Sequence, residues 1–226
     1  MINRGKVFNT KRYWSPYGST APTGNLIDVS RYQTDGVITG ATWTQTPNGI
    51  WYLDIDSATP DYVEIANADQ LNFVKSEFSI AIWLKADSLA SNPYIVNRSI
   101  AATNGYTLWI NTTGIVYFST HQAAANQHTY SSAGDIVVGS WYYICVTRIG
   151  ASVLIYKNGV DITATAGTHI DPVSNNESCM LGVYRDKTSN RFDGGFGYFD
   201  ACNYALSQEA INNNFESERS DFGVSV

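Results

Sequence analysis

Residues 141–159 read WYYICVTRIGASVLIYKNG. Apolar and polar positions alternate through WYYICVTRI and again through SVLIYK, the period-two pattern of half-buried strands. A short turn at Ile149-Gly150-Ala151 joins the two, and Lys157-Asn158-Gly159 closes the second. Asn-Gly supplies the positive-φ residues a tight hairpin needs, so a third strand is expected from Val160.

The same punctuation continues in both directions. Short strands are expected at 36–44, 50–55 and 61–65, separated by Thr59-Pro60-Asp61 and similar turn chemistry. Further strands follow at 77–86, 93–98, 104–111, 114–120, 127–130, 140–149, 152–157, 160–165, 177–184 and 195–203. One short helix is expected at 207–217, with Ser207 as its N-cap. Many short strands without a long helical pattern imply an all-β, two-sheet antiparallel sandwich. Residues 1–24, rich in Pro, Gly, Ser and Thr towards their end, read as an N-terminal arm or linker, and 25–226 as the domain.

Composition narrows the function. The chain has 226 residues, enough for one large sandwich with a substantial core. Fifteen Tyr and six Trp against 15% charged residues suit strands better than a helical bundle. A net charge of −6 argues against nucleic acid, which needs a basic surface to displace counterions. The cations Arg4, Lys6, Lys11 and Arg12 stand at the start with no acid among them, as a solvated tail or a docking arm would. No segment is long and apolar enough for membrane insertion, and MINRGKVFNTKRYWS lacks the apolar core of a signal peptide. Cys145, Cys179 and Cys202 match no zinc or redox spacing, and an odd count prevents full pairing within one chain.

The 141–159 segment carries a Trp at its start, Thr-Arg before its turn and Tyr-x-Asn-Gly at its end. It resembles the laminin-G-like, pentraxin-like branch of the concanavalin A-like lectin/glucanase superfamily. Six further pieces match that family in order: DVSRYQTDG (28–36), GATW (40–43), YLDIDS (52–57), DYVEI (61–65), FSIAIWLKAD (78–87) and FDGGFGYFDACNYALSQEAI (192–211). The resemblance covers about residues 25–217 and implies a jelly-roll sandwich with a short C-terminal helix. It also implies calcium as a possible cofactor, held by an early acidic turn and a late acidic strand, since calcium takes six to eight hard oxygens. Asp28 and Asp35 match the early element. The late acidic pair falls on Gly197 and Tyr198, with Asp200 displaced along the strand.

Strand parity supplies the candidate binding residues. Phe78, Ile80, Ile82 and Leu84 share one face, which places Trp83 on the other. The same count leaves Trp109, Tyr117, Tyr143 and Tyr156 on the non-core side of their strands. Aromatics gathered on one sheet would offer a platform for sugars beside amides and hydroxyls, unless something covers them as a second small core. Catalytic signatures are weak. Asp54 and Asp56 are two acids where glycosidases of this fold use a longer acidic strand motif, and His121, His128 and His169 show no metal spacing. His121 and His128 read as parts of a polar Ala-Asn-Gln loop.

The expected function is therefore a non-catalytic, carbohydrate-binding or adhesion module. Its partners would be a glycan or cell-surface polysaccharide and, through residues 1–24, other virion proteins. A homo-oligomer at a virion surface, as in a bacteriophage decoration or fibre protein, or an extracellular setting, would suit it. The alternatives are a purely structural virion protein and a glycoside hydrolase of the same fold.

Overall fold

A computed structural model describes residues 10–13, 20–66, 69–74 and 77–225, with side chains from residue 20 onward. The strands are β1 (Thr10–Tyr13), β2 (Gly36–Thr39), β3 (Thr42–Gln45), β4 (Trp51–Ile55), β5 (Tyr62–Ile65), β6 (Glu77–Ser88), β7 (Tyr94–Ile100) and β8 (Asn104–Ile110). They continue as β9 (Val116–Gln122), β10 (Ala125–Tyr130), β11 (Trp141–Ile149), β12 (Ser152–Lys157), β13 (Val160–Asp161), β14 (Cys179–Leu181) and β15 (Asp193–Cys202). A helix, α1 (Gln208–Glu218), follows, and the Ser207 hydroxyl accepts from the Ala210 N–H as its N-cap.

Two antiparallel sheets stack as a jelly-roll sandwich. One runs β13-β12-β11-β6-β15-β4-β3, with β1 also on β15; the other runs β10-β9-β8-β7-β14-β5-β2. The 141–159 meander forms as expected, with Ile149 opposite Ser152 and Lys157 opposite Val160. Between the sheets lies the main core, including Phe78, Ile80, Ile82, Leu84, Leu108, Phe118, Val146 and Ile155, all fully buried. Each such side chain contributes about 1.5–3 kcal/mol by leaving water. Among the described residues no helix is long and apolar enough to cross a membrane.

Several boundaries differ from the sequence reading. The strand expected at 36–44 breaks at Gly40, whose φ is +72° and whose side a Cβ would share with Asp61 Oδ1 at 1.9 Å. At that break the chain crosses from the seven-stranded sheet (β2) to the eight-stranded one (β3). The strand at 160–165 stops at Asp161, whose carboxylate accepts the Thr163 N–H and turns the chain. Within the expected N-terminal arm, Thr10–Tyr13 pair with Phe199–Cys202, so that part is an added strand and not a linker. Residues 1–9 and 14–19 lie outside the described residues. All three cysteines are free and buried.

Candidate functional site

The five candidate aromatics do not share a sheet. Trp83, Tyr143 and Tyr156 lie on the outer face of the eight-stranded sheet, and that face is covered. The α1 residues Ile211 and Phe215, followed by Phe222, close over them as a second core. Trp83 is 0% exposed; its ring stacks on Phe222 at 4.5 Å and 17°, and its indole N–H donates to Glu218 Oε2 at 2.9 Å. Burial pushes the Tyr143 hydroxyl well above the ordinary tyrosine range. These three residues are therefore packing residues, because the amphipathic helix needs an apolar surface and the sheet provides one.

Gly197 belongs to the same arrangement. A Cβ there would sit 2.4 Å from Phe222 Cζ and 2.9 Å from Trp83 Cβ. Beside it, the Tyr198 hydroxyl donates to Asp221 Oδ2 at 2.8 Å. The two positions that carry acids in the resembling family thus serve the docking of the C-terminal segment. At the early element, Asp28 accepts the N–H groups of Ser30 and Thr34, and Asp35 accepts that of Asp28. Both carboxylates are thereby engaged in their own turn. Among the described residues no group of three or more His, Cys, Asp or Glu side chains that could hold a metal ion comes together.

Trp109 and Tyr117 lie on the outer face of the seven-stranded sheet, where parity put them. There they are the middle of a longer row. Register places Tyr94 opposite Trp109, Trp109 opposite Tyr117, and Tyr117 opposite Tyr130, one residue from each of β7, β8, β9 and β10. The ring centroids step by 6.3, 4.1 and 5.0 Å, and Tyr184 meets Tyr94 edge-on at 5.5 Å. All five rings are partly exposed. Three inter-strand spacings of about 4.8 Å carry the row across roughly 14 Å. Trp109 and Tyr117 are near-parallel at 13°, so their faces are turned to each other. What the middle of the row presents outward is ring edges, the electropositive rim of each aromatic, together with phenol hydroxyl chemistry.

A polar row runs beside the rings, two residues along β8, β9 and β10 and three along β7, where a bulge intervenes: Asn97, Thr107, Ser119 and His128 face one another in register. The Trp109 indole donates to Ser119 Oγ at 3.3 Å, and Ser119 Oγ meets His128 Nδ1 at 2.7 Å. Asn97 donates to Ser99 and Thr107, and its carbonyl oxygen accepts the Arg185 N–H. The Ala102 N–H donates to His121 Nδ1, which leaves the neutral imidazole proton on Nε2, 3.3 Å from Thr107 Oγ1. Burial holds His121 down to about 4 and also lowers His128. His121 and His128 are thus strand residues of β9 and β10, not loop residues; the hairpin between them is short, with Ala124 at φ +60°. Tyr94, Tyr130, Tyr184 and the polar row were not singled out from sequence. The period-two count applied to β10 would have found His128 and Tyr130; the bulge between Tyr94 and Val96 puts Tyr94 out of parity with Asn97, and Tyr184 lies in a loop and carries no such signal.

Elsewhere, Asp54, Asp56, Asp61, Asp87 and Asp193 line a cavity of about 470 Å³. Burial raises the Asp54 carboxyl, opposed by Lys85. Asp61 accepts from the Asp56 N–H and the Thr59 hydroxyl, and Asp56 from the Ala58 N–H, so those two brace a turn.

A family model for the concanavalin A-like lectin/glucanases superfamily matches residues 57–212. Among solved structures, the binding domain of Paraclostridial Mosquitocidal Protein 1 is similar at 17% identity and a TM-score of 0.72, covering 92% of this chain and 52% of that one. The binding domain of botulinum neurotoxin DC, solved with rat synaptotagmin II, is similar at 16% identity and a TM-score of 0.68, covering 92% and 51%. A botulinum neurotoxin type C structure, described by cell entry that depends on two ganglioside molecules, gives 16% identity and a TM-score of 0.67 over 92% and 51%. This chain spans about half the length of these structures, and at such identities the likeness speaks for the fold. No curated protein sequence matches it. With the family model covering most of the sandwich, the chain belongs to the concanavalin A-like lectin/glucanases superfamily, in its laminin-G branch.

Proposed function

We propose that this domain is a non-catalytic carbohydrate-binding module whose ligand lies along the Tyr94–Trp109–Tyr117–Tyr130 row. The observation that carries it is a partly exposed aromatic row on one outer face, its Trp109 held by a hydrogen bond to Ser119, while α1 and Phe222 bury the candidate aromatics of the other. Sugars present C–H groups and many oxygens at once. Ring edges and phenol hydroxyls meet the oxygens, the ring carbons give the C–H groups van der Waals contact, and the Ser119–His128 contact fixes the indole in place beforehand, which lowers the ordering cost of binding. Display at a virion surface or outside a cell, with the basic N-terminal residues engaging a neighbouring protein, is the setting we attach to this function.

The test is a glycan array followed by calorimetry on wild type, Trp109→Ala and Tyr117→Ala. Both variants should lose binding. Each gives up contact with two neighbouring rings and the area buried with them, about 2–4 kcal/mol, so each should melt roughly 4–16 °C lower. A folded Trp109→Ala protein that binds like wild type would remove the row from consideration. The hydrolase alternative is read in the same samples: release of reducing ends that stops in Asp54→Asn or Asp56→Asn would favour it. A protein that binds no glycan yet assembles through its N-terminal residues would be the purely structural one.

A further inference from the structure

We infer that the ligand of the aromatic row is an uncharged oligosaccharide chain, not an acidic one; the inference rests on the binding function proposed above and narrows its substrate class. Strands β7, β8, β9 and β10 contain a single charged residue, Arg98. It is 0% exposed and stands opposite Tyr106, on the core side of the sheet. Its guanidinium donates to the carbonyls of Glu177 and Asn175. No cation from these four strands therefore stands on the outer face.

Among the described residues, two cations beside that face are already paired, and the acid between them is hydrogen-bonded. Arg185 makes a two-pronged contact with Glu177, and Lys187 bonds Glu64 at 2.8 Å. Asp186 is held by Thr188, Ser189 and the Ser189 hydroxyl. The two imidazoles on the face are buried enough to stay neutral near pH 7. A carboxylate, sulfate or sialic acid group set against the row would give up water and gain no opposite charge, an arrangement that binding energy does not support. The net charge of −6 repels such ligands at longer range. Neutral hydroxyl and ether oxygens meet no such obstacle. The row crosses four strands, so its length suits several linked sugar rings and exceeds what one ring would cover.

The experiment titrates wild type and Trp109→Ala with two sets of hexasaccharides: cello-, malto- and chito-oligosaccharides, and hyaluronan, alginate and heparin fragments. Each titration is run in about 50 mM and about 500 mM NaCl. The expected result is binding to at least one neutral hexamer, with affinity changing less than about twofold between the salts and lost in Trp109→Ala. Trisaccharides of the same sugar should bind about tenfold more weakly. Acidic hexamers binding through Trp109 with affinity that falls steeply in salt would overturn the inference and leave the binding site standing. Binding that ignores Trp109→Ala, or no binding in either set, would overturn both.

Discussion

Replacing Trp83 by Ala separates the two aromatic groups most sharply. Trp83 is fully enclosed between β11 and the C-terminal segment, with Phe222 at 4.5 Å, Tyr143 at 5.6 Å and Phe215 at 5.9 Å. Truncating a buried indole costs about 3–5 kcal/mol through lost transfer energy and the cavity left behind. In a chain of this length each kcal/mol lowers the melting temperature by about 2–4 °C, so a loss of about 4 kcal/mol implies a drop of about 8–16 °C. Trp83→Phe isolates the hydrogen bond to Glu218, worth about 1.5–3 kcal/mol because its acceptor is a carboxylate. The assay is urea denaturation followed by tryptophan fluorescence, together with thermal melts and glycan titration of the folded fraction. Both Trp83 variants should bind glycan like wild type once folded, because the row lies on the opposite sheet. A Trp83→Ala protein that melts within 2 °C of wild type, or one that stays folded and loses the ligand, would refute this division of labour.

Two further outcomes are expected. Gly197→Asp, which restores an acid at the family's late position, should displace Phe222 and cost about 3 kcal/mol. Melts of that variant and of wild type should be the same in calcium and in chelator, and a calcium-dependent rise would revive the metal site. Stability should also fall with acid. His121 and His169 are held at about 4, against an ordinary 6.5, by burial first. The folded state therefore binds fewer protons than the unfolded chain; the contribution is complete above pH 6.5 and disappears as pH falls through about 4. Each histidine accounts for at most about 3 kcal/mol, and urea midpoints at pH 7 and pH 4 should differ accordingly. His169, bonded on both nitrogens to Thr120 and Thr129, should supply a share that His169→Gln removes. A flat profile would refute the assignment.

The layered fold was legible because alternation is a local property: Phe78, Ile80, Ile82 and Leu84 have no other way to share a face than as a strand. The same count correctly turned Trp83 and Trp109 away from the main core. It could not say which would stay uncovered, since that depends on where α1 lands, more than a hundred residues later in sequence. Gly197 shows the limit from the other side. In sequence it is a missing carboxylate, and in the fold it is the space that Phe222 fills. The row itself was half visible, because Trp109 and Tyr117 sit in strands of clear period, whereas Tyr94 precedes a bulge and Tyr130 ends a polar hairpin.

Both the first strand and the last helix attach to the eight-stranded sheet: β1 along β15, and α1 with Phe222 over its outer surface. A tag or fusion partner joined just after α1 thus starts on the back of the molecule, and the tyrosine–tryptophan ridge looks the opposite way. Coupled to a chip or bead through that C-terminal segment, the domain would offer the ridge to the passing solution.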